Sequence, residues 1–270
     1  MNFTDTWKDI SSLWAKSRLP KKGIALALGG GAALGAAHIG VLKALDEYGV
    51  KINRIAGTSI GALIATLHAF GKTPDEMQEI VNELEWLDVT SFTLSKFGLL
   101  SNDELGKQVN QILGDGSFSD AKIPLYLVAT DLAKGKKIVL DKGDIAKAVM
   151  ASSCIPGIFV PVEIDDMLLV DGGLIENVPV TTLRKISDDF IVGVDLTAGR
   201  QYQRPQDIID VVVNAIDISI DNVTRAQSSE ADLIIAPELS SYSRRDTSRI
   251  NELIDAGYES ACKLLDKLKS

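Results

Sequence analysis

Apolar residues recur along this chain with two alternating periods. Short unbroken runs such as Ile24-Ala25-Leu26-Ala27-Leu28 have the form of strands buried on both faces. Between them lie segments whose apolar positions return every three or four residues, the spacing of a helix with one buried face. His38 to Tyr48 is the first such segment after the opening strand, with Ile39, Val41, Leu42 and Leu45 inward and Gly49 as its stop. Ile52 to Ala56 reads as a second strand and Ala62 to Phe70 as the next helix. A helix from Thr73 to Leu87 follows, then a loop from Asp88 to Ser101 carrying Phe92, Leu94 and Phe97, then a helix over 102–113. The run from Pro124 to Ala129 predicts a strand with Lys136 to Leu140 as its hairpin partner, and Asp144 to Ala151 a helix. Met167 to Val170 is a short buried strand, Pro179 to Ile186 a helix and Phe190 to Val194 a strand. The helix over 207–227 is expected to face Ile209, Val212, Val213, Ile216 and Ile220 inward; Leu233 to Ala236 is a late strand and Arg249 to Leu268 the terminal helix. Strands alternating with helices predict an α/β fold with a mainly parallel sheet. No repeat, low-complexity tract or linker interrupts 23–270, which reads as one domain.

Residues 1–22 form a separate arm. Phe3, Trp7, Ile10 and Trp14, widened by Leu13, make one apolar stripe before Pro20 ends the helix. The arm carries a net charge of +3, leaving −12 on the remainder. Two readings stay open for it: a helix lying peripherally on an anionic membrane, or an arm packed on its own body or on a sister subunit in an oligomer.

Composition narrows the classes. A net charge of −9 and a pI near 4.8 argue against a nucleic-acid partner. No run approaches the roughly 20 apolar residues of a membrane span, and the N-terminus lacks the continuous apolar stretch of a secretory signal. Cys154 and Cys262 match no metal or redox spacing, and two unpaired thiols fit a reducing cytoplasm.

Chemistry concentrates at Gly57-Thr58-Ser59-Ile60-Gly61, a G-x-S-x-G pattern between a strand and a helix. A serine at such an elbow holds its hydroxyl clear of the sheet, and flanking glycines are needed where a Cβ would collide with neighbouring backbone. The chain has only two histidines. His68 follows Ser59 on the same helix and lies roughly 13 Å along its axis, too far to touch the hydroxyl. His38 precedes Ser59 and reads as a packed or capping residue. A base other than imidazole is therefore expected. Asp131, Asp171 and Asp195 each end a strand and are candidates. Asp171 is favoured, because Gly172-Gly173 leave room beside it and the apolar run before it would desolvate it. The loop Gly29-Gly30-Gly31-Ala32-Ala33-Leu34-Gly35 departs from the dinucleotide fingerprint at Leu34 and lacks the G-K-[ST] of a phosphate loop. It suits an oxyanion hole, a run of backbone N–H groups that needs no side chains.

Taken together, the glycine loop, Gly57-Thr58-Ser59-Ile60-Gly61, Ala151-Ser152-Ser153-Cys154-Ile155-Pro156-Gly157 and Asp171-Gly172-Gly173 resemble the patatin-like acyl hydrolases. The likeness covers roughly residues 23 to 265 and is strongest to the short bacterial members related to the catalytic domain of neuropathy target esterase. The resemblance implies a three-layer fold with a central, mainly parallel sheet flanked by helices. It also implies hydrolysis of phospholipid or lysophospholipid by a serine–aspartate dyad, with no metal or cofactor. Ser59 would be the nucleophile, Asp171 the base, and the N–H groups of Gly30, Gly31 and Ala32 the oxyanion hole. Two departures stand out: Ala32 replaces the third glycine of the family loop, and Leu34 replaces its basic residue. They keep open a rival, a non-catalytic interaction protein that retains the fold.

Overall fold

The computed structural model describes residues 20, 22–83, 91–92, 98–202, 204–244 and 246–269. The amphipathic arm thus lies, except for Pro20 and Lys22, outside the described residues, as do Leu94 and Phe97. In chain order the elements are β1 (Ile24–Leu28), α1 (Ala36–Glu47), β2 (Ile52–Thr58), α2 (Ile60–Ala69), α3 (Pro74–Glu83), β3 (Ser91–Phe92), β4 (Gly98–Ser101), α4 (Asp103–Leu113) and β5 (Leu125–Asp131). They continue with β6 (Lys136–Leu140), α5 (Ile145–Ser152), β7 (Gly157–Phe159), β8 (Val162–Ile164), β9 (Met167–Asp171), α6 (Val180–Ile186), β10 (Phe190–Val194), α7 (Ile208–Gln227), β11 (Leu233–Ile235) and α8 (Ile250–Lys269).

The main sheet has the order β11-β10-β1-β2-β5-β9-β8, with β6 also paired to β5. From β11 to β5 every pairing is parallel. β1 sits in the middle, and its two faces differ in size. Ile24, Leu26 and Leu28 point into the larger core, which includes α1, α2 and α8, while Ala25 and Ala27 point into a smaller one with Val178, Val180 and Leu183. Burial on both faces explains why the strand reads as an unbroken apolar run. The mixed α/β architecture with helices around a central sheet agrees with the fold class read from the pattern.

Three details depart from the sequence reading. The segment expected as a loop over 88–101 contains β3 and β4, which join β7 in a separate small sheet. Val212, expected inward, is 43% exposed, whereas Asp217 and Asp221 on the same helix are buried. The third concerns β9, which runs antiparallel to β5 instead of along it. Its direction follows from a two-residue turn: Asp165 and Asp166 both adopt positive φ, 49° and 61°, and fold β9 back on β8. Asp tolerates this left-handed region better than most residues, and two such residues in succession form a tight hairpin turn.

That reversal positions the site. β6 pairs with β5 from Leu127 to Asp131 and so fills one edge of it. The opposite edge is shared: β2 covers Leu125 to Val128, and β9 covers Ala129 to Asp131. β2 ascends and ends with Thr58 beside Val128; β9 descends and ends with Asp171 beside Ala129. The two strands therefore meet end to end on one edge, and the residues where they stop, Ser59 and Asp171, are brought together.

Candidate active site

Ser59 leaves β2 with φ 56° and ψ −128° and directly precedes α2. Such a conformation in a non-glycine residue costs on the order of 1–3 kcal/mol and persists only where its surroundings hold it. Several contacts do so. Its N–H donates to the Ser152 hydroxyl at 3.1 Å, and that hydroxyl donates to the Val128 carbonyl at 2.7 Å. The Thr58 hydroxyl donates to the Glu176 carbonyl at 3.0 Å. Close packing supplies the rest: a Cβ on Gly61 would lie 2.3 Å from the Leu28 carbonyl oxygen, and one on Gly57 2.3 Å from that of Gly61. Both glycines are needed because strand and helix backbones touch here.

Ser152 is thus the bridge between the elbow and β5, and it is fully buried. Replacing it with alanine leaves the Ser59 N–H and one acceptor position of Val128 without their partner. The expected cost is about 1–3 kcal/mol in urea unfolding. A midpoint equal to that of the unmodified chain would show the bridge to be unimportant.

Asp171 is 7% exposed, and Gly173 N–H donates to its Oδ1 at 2.8 Å. The Ser59 side chain is near enough to lower its pKa. Burial pushes this carboxyl up to about 6, against the pull of Ser59, of the bond from Gly173 and of the Arg244 charge. The other two strand-end aspartates serve turns. Asp131 accepts the N–H groups of Ala133 and Lys134 at 3.0 and 3.2 Å, and Asp195 those of the Thr197 N–H and hydroxyl, both at 2.8 Å. Neither lines the pocket that Ser59 and Asp171 share.

The glycine loop faces this pair across the pocket. Gly30 is expected among the oxyanion donors, but its N–H is taken by Asn177, whose carbonyl and Oδ1 accept it at 3.3 and 3.2 Å. Ala33 N–H donates to the Arg244 carbonyl at 3.1 Å. Among the described residues the N–H groups of Gly31 and Ala32 have no protein acceptor, and both residues line the pocket. Ala32 holds φ 53°, a left-handed conformation that glycine would adopt at less cost. Leu34 is 4% exposed and belongs to the core, so its side chain contributes packing.

His38 supports this loop from beneath. It is fully buried, and its Nε2–H donates to the Gly29 carbonyl at 2.7 Å. Burial, only partly offset by this bond, lowers its pKa to about 4, so the ring is neutral and structural. Cys154 sits behind Asp171, whose N–H donates to the Cys154 carbonyl at 2.8 Å. Burial first and the Asp171 charge second push its thiol up to about 12, which leaves it unreactive.

The pocket encloses about 340 Å³. Its walls are mostly apolar, with Leu63, Leu105, Phe159, Val213, Ile216 and Ile220 among them, and Arg200, Asp217 and Arg244 form a polar region. No sequence pattern pointed to Asn177, Ser152, Arg200 or Arg244 as site residues. Ser152 lies inside a quoted motif and Asn177 six residues after Asp171, but their roles depend on contacts far apart in the chain. Among the described residues no helix is long and apolar enough to cross a membrane.

Comparison with known proteins completes the picture. A family model described as patatin-like phospholipase matches residues 26–184. An uncharacterized NTE family protein of Mycobacterium tuberculosis is 36% identical over 176 residues, covering 64% of this chain and 49% of that protein. Lysophospholipase nte1 of Aspergillus fumigatus is 26% identical over 285 residues, covering 94% of this chain and 19% of that protein. The chain thus spans about half the length of the mycobacterial relative and about a fifth of the fungal one. Among solved structures, VipD from Legionella pneumophila superposes with a TM-score of 0.61 at 14% identity, over 92% of this chain and 67% of that one. The type III effector protein ExoU gives 0.53 at 14% identity, over 93% of this chain and 54% of that one. At such identities these two likenesses speak to the fold alone.

Proposed function

The chain belongs to the patatin-like phospholipase family, and from that premise we propose that it is a serine acyl-ester hydrolase acting on phospholipid or lysophospholipid. The observation that carries this reading is that Ser59 and Asp171 line one largely apolar pocket, with the serine side chain near enough to act on the carboxyl. A carboxyl pushed up to about 6 is still mostly ionised near neutral pH and is a stronger base than an exposed aspartate. Asp171 takes the hydroxyl proton as Ser59 attacks the ester carbonyl. The N–H groups of Gly31 and Ala32, with the positive end of α2 close by, receive the charge that develops on the carbonyl oxygen. The alcohol leaves with the proton from Asp171, and water, activated by the same carboxylate, cleaves the acyl-enzyme. The apolar wall accommodates the acyl chain. The name of the fungal relative, lysophospholipase, supports a lipid ester as substrate.

The test is labelling with a serine-reactive fluorophosphonate followed by mapping of the modified peptide. The peptide containing Ser59 is expected to carry the label. A chain that stays unlabelled while folded would favour the non-catalytic alternative.

A further inference from the structure

The reaction above leaves the polar region of the pocket without a role. Arg200 follows β10, and Arg244 lies between β11 and α8 in the strap whose carbonyl holds the Ala33 N–H. Their side chains are only 10% and 26% exposed, yet both line the pocket. Asp217 and Asp221, one turn apart on the inner side of α7, hold them. Arg200 Nη1 stands 3.1 Å from Asp217 and 3.3 Å from Asp221, and Arg244 Nη1 pairs with Asp217. Tyr202 donates its hydroxyl to Asp221.

Burying three ion pairs beside an apolar cavity contributes little to stability, because desolvation offsets most of the attraction. The arrangement therefore calls for another explanation. Asp217 pairs with the Nη1 of both guanidiniums, and Asp221 with that of Arg200 alone. Among the described residues the Nε atoms of Arg200 and Arg244 and the Nη1 of Arg200 are buried without a hydrogen-bond partner, the contacts of Arg200 with the aspartates being ion pairs alone. Guanidinium donors left unpaired beside a cavity suit the oxygens of a phosphate or carboxylate. Arg244 shares the pocket with Ser59 and Asp171, and its charge lowers the Asp171 pKa.

We propose that Arg200 and Arg244 form an anion-receiving pole of the pocket that grips the phosphodiester of a lipid substrate through guanidinium donors that the protein leaves unpaired. Asp217, Asp221 and Tyr202 are positioning residues that hold the two forks side by side. The apolar wall takes the acyl chain, the elbow the ester, and the arginines the head group. The proposal rests on the acyl-hydrolase reading for its choice of ligand, but its test needs no turnover.

Calorimetric titration of the full chain with dodecylphosphocholine and with dodecyl glucoside, both below their micellar concentrations, compares a phosphodiester with an uncharged head on one tail. The phosphodiester is expected to bind at least about 10-fold more tightly, the discrimination that one well-formed charge-assisted contact supplies. Arg200→Gln and Arg244→Gln should each remove most of that preference. Arg244→Lys, which keeps the charge opposite Asp217 but loses the planar fork, should lose most of it too and guards against an unfolded variant. Inorganic phosphate is expected to displace the amphiphile only weakly; phosphate binding as tightly as the amphiphile would overturn the lipid assignment. No preference in the unmodified chain, or a preference untouched in all three variants, would overturn the subsite. Ester hydrolysis without head-group preference would count against this pole alone, and preference without any hydrolysis would count against the hydrolase reading alone.

Discussion

Exchanging Ser59 for alanine is expected to lower kcat/KM for an acyl ester by about 10⁴-fold or more, the scale on which removal of an attacking nucleophile acts. What remains reflects binding and the Gly31 and Ala32 donors, which do not require the hydroxyl. The fold should survive, because the contacts that hold the elbow use the Ser59 backbone and the Thr58 side chain. Urea midpoints of the two chains should therefore agree, while release of p-nitrophenol and capture of a fluorophosphonate are both lost. A second consequence follows from the influence of Ser59 on Asp171. The serine side chain favours the ionised carboxylate, so its loss should raise the Asp171 pKa further. Hydrolysis persisting at the original rate would remove Ser59 from the mechanism.

The Asp171→Asn change should lower the same constant by about 10²–10⁴-fold, the usual contribution of a positioned general base. Asparagine keeps an oxygen for the Gly173 N–H, so the turn after β9 is retained. The pH profile separates a base from a merely structural carboxyl. With Asp171 titrating at about 6, activity should rise with pH through that value and level off above it. The variant should lose that limb. Stability should move in the opposite sense. Burial makes the folded chain hold this proton more tightly than the unfolded chain does. The stabilisation is fully present below the unfolded carboxyl value and is lost as pH rises through about 6. Above that range the unmodified chain keeps a buried charge, which the asparagine removes. A gain of about 2 kcal/mol at pH 8, shrinking towards pH 5, is expected in denaturant unfolding. An activity profile whose acid limb is unchanged in the variant would assign that limb to another group.

Much of this molecule is legible in its amino-acid order because the forces involved are local. β1 reads as a strand buried on both faces from five residues alone. Gly57 and Gly61 announce the elbow, since only a missing Cβ allows strand and helix backbones to approach so closely. The scarcity of histidine points away from an imidazole base, and His38 indeed lies buried as a prop for the Gly29 carbonyl. The strand that ends in Asp171 is also evident from its apolar run, and so is the desolvation that raises this carboxyl.

Direction and long-range pairing are another matter. A short apolar run looks the same whether it lies parallel or antiparallel to its neighbour. The turn at Asp165 and Asp166 reverses β9, and β5 then offers one edge to both β2 and β9, so that Ser59 and Asp171 meet. Helix periodicity places Val212 inside, but arginines from two distant segments draw Asp217 and Asp221 inward instead. The Gly30 N–H was free to be an oxyanion donor until Asn177, far along the chain, took it. Sequence by itself determined the elements, the elbow and the candidate carboxylates, because propensity and steric fit act over a few neighbouring residues. Only the tertiary structure decided which backbone donors stay open and which charges share the pocket, because those depend on contacts between separate elements and on strand pairing that no local pattern encodes.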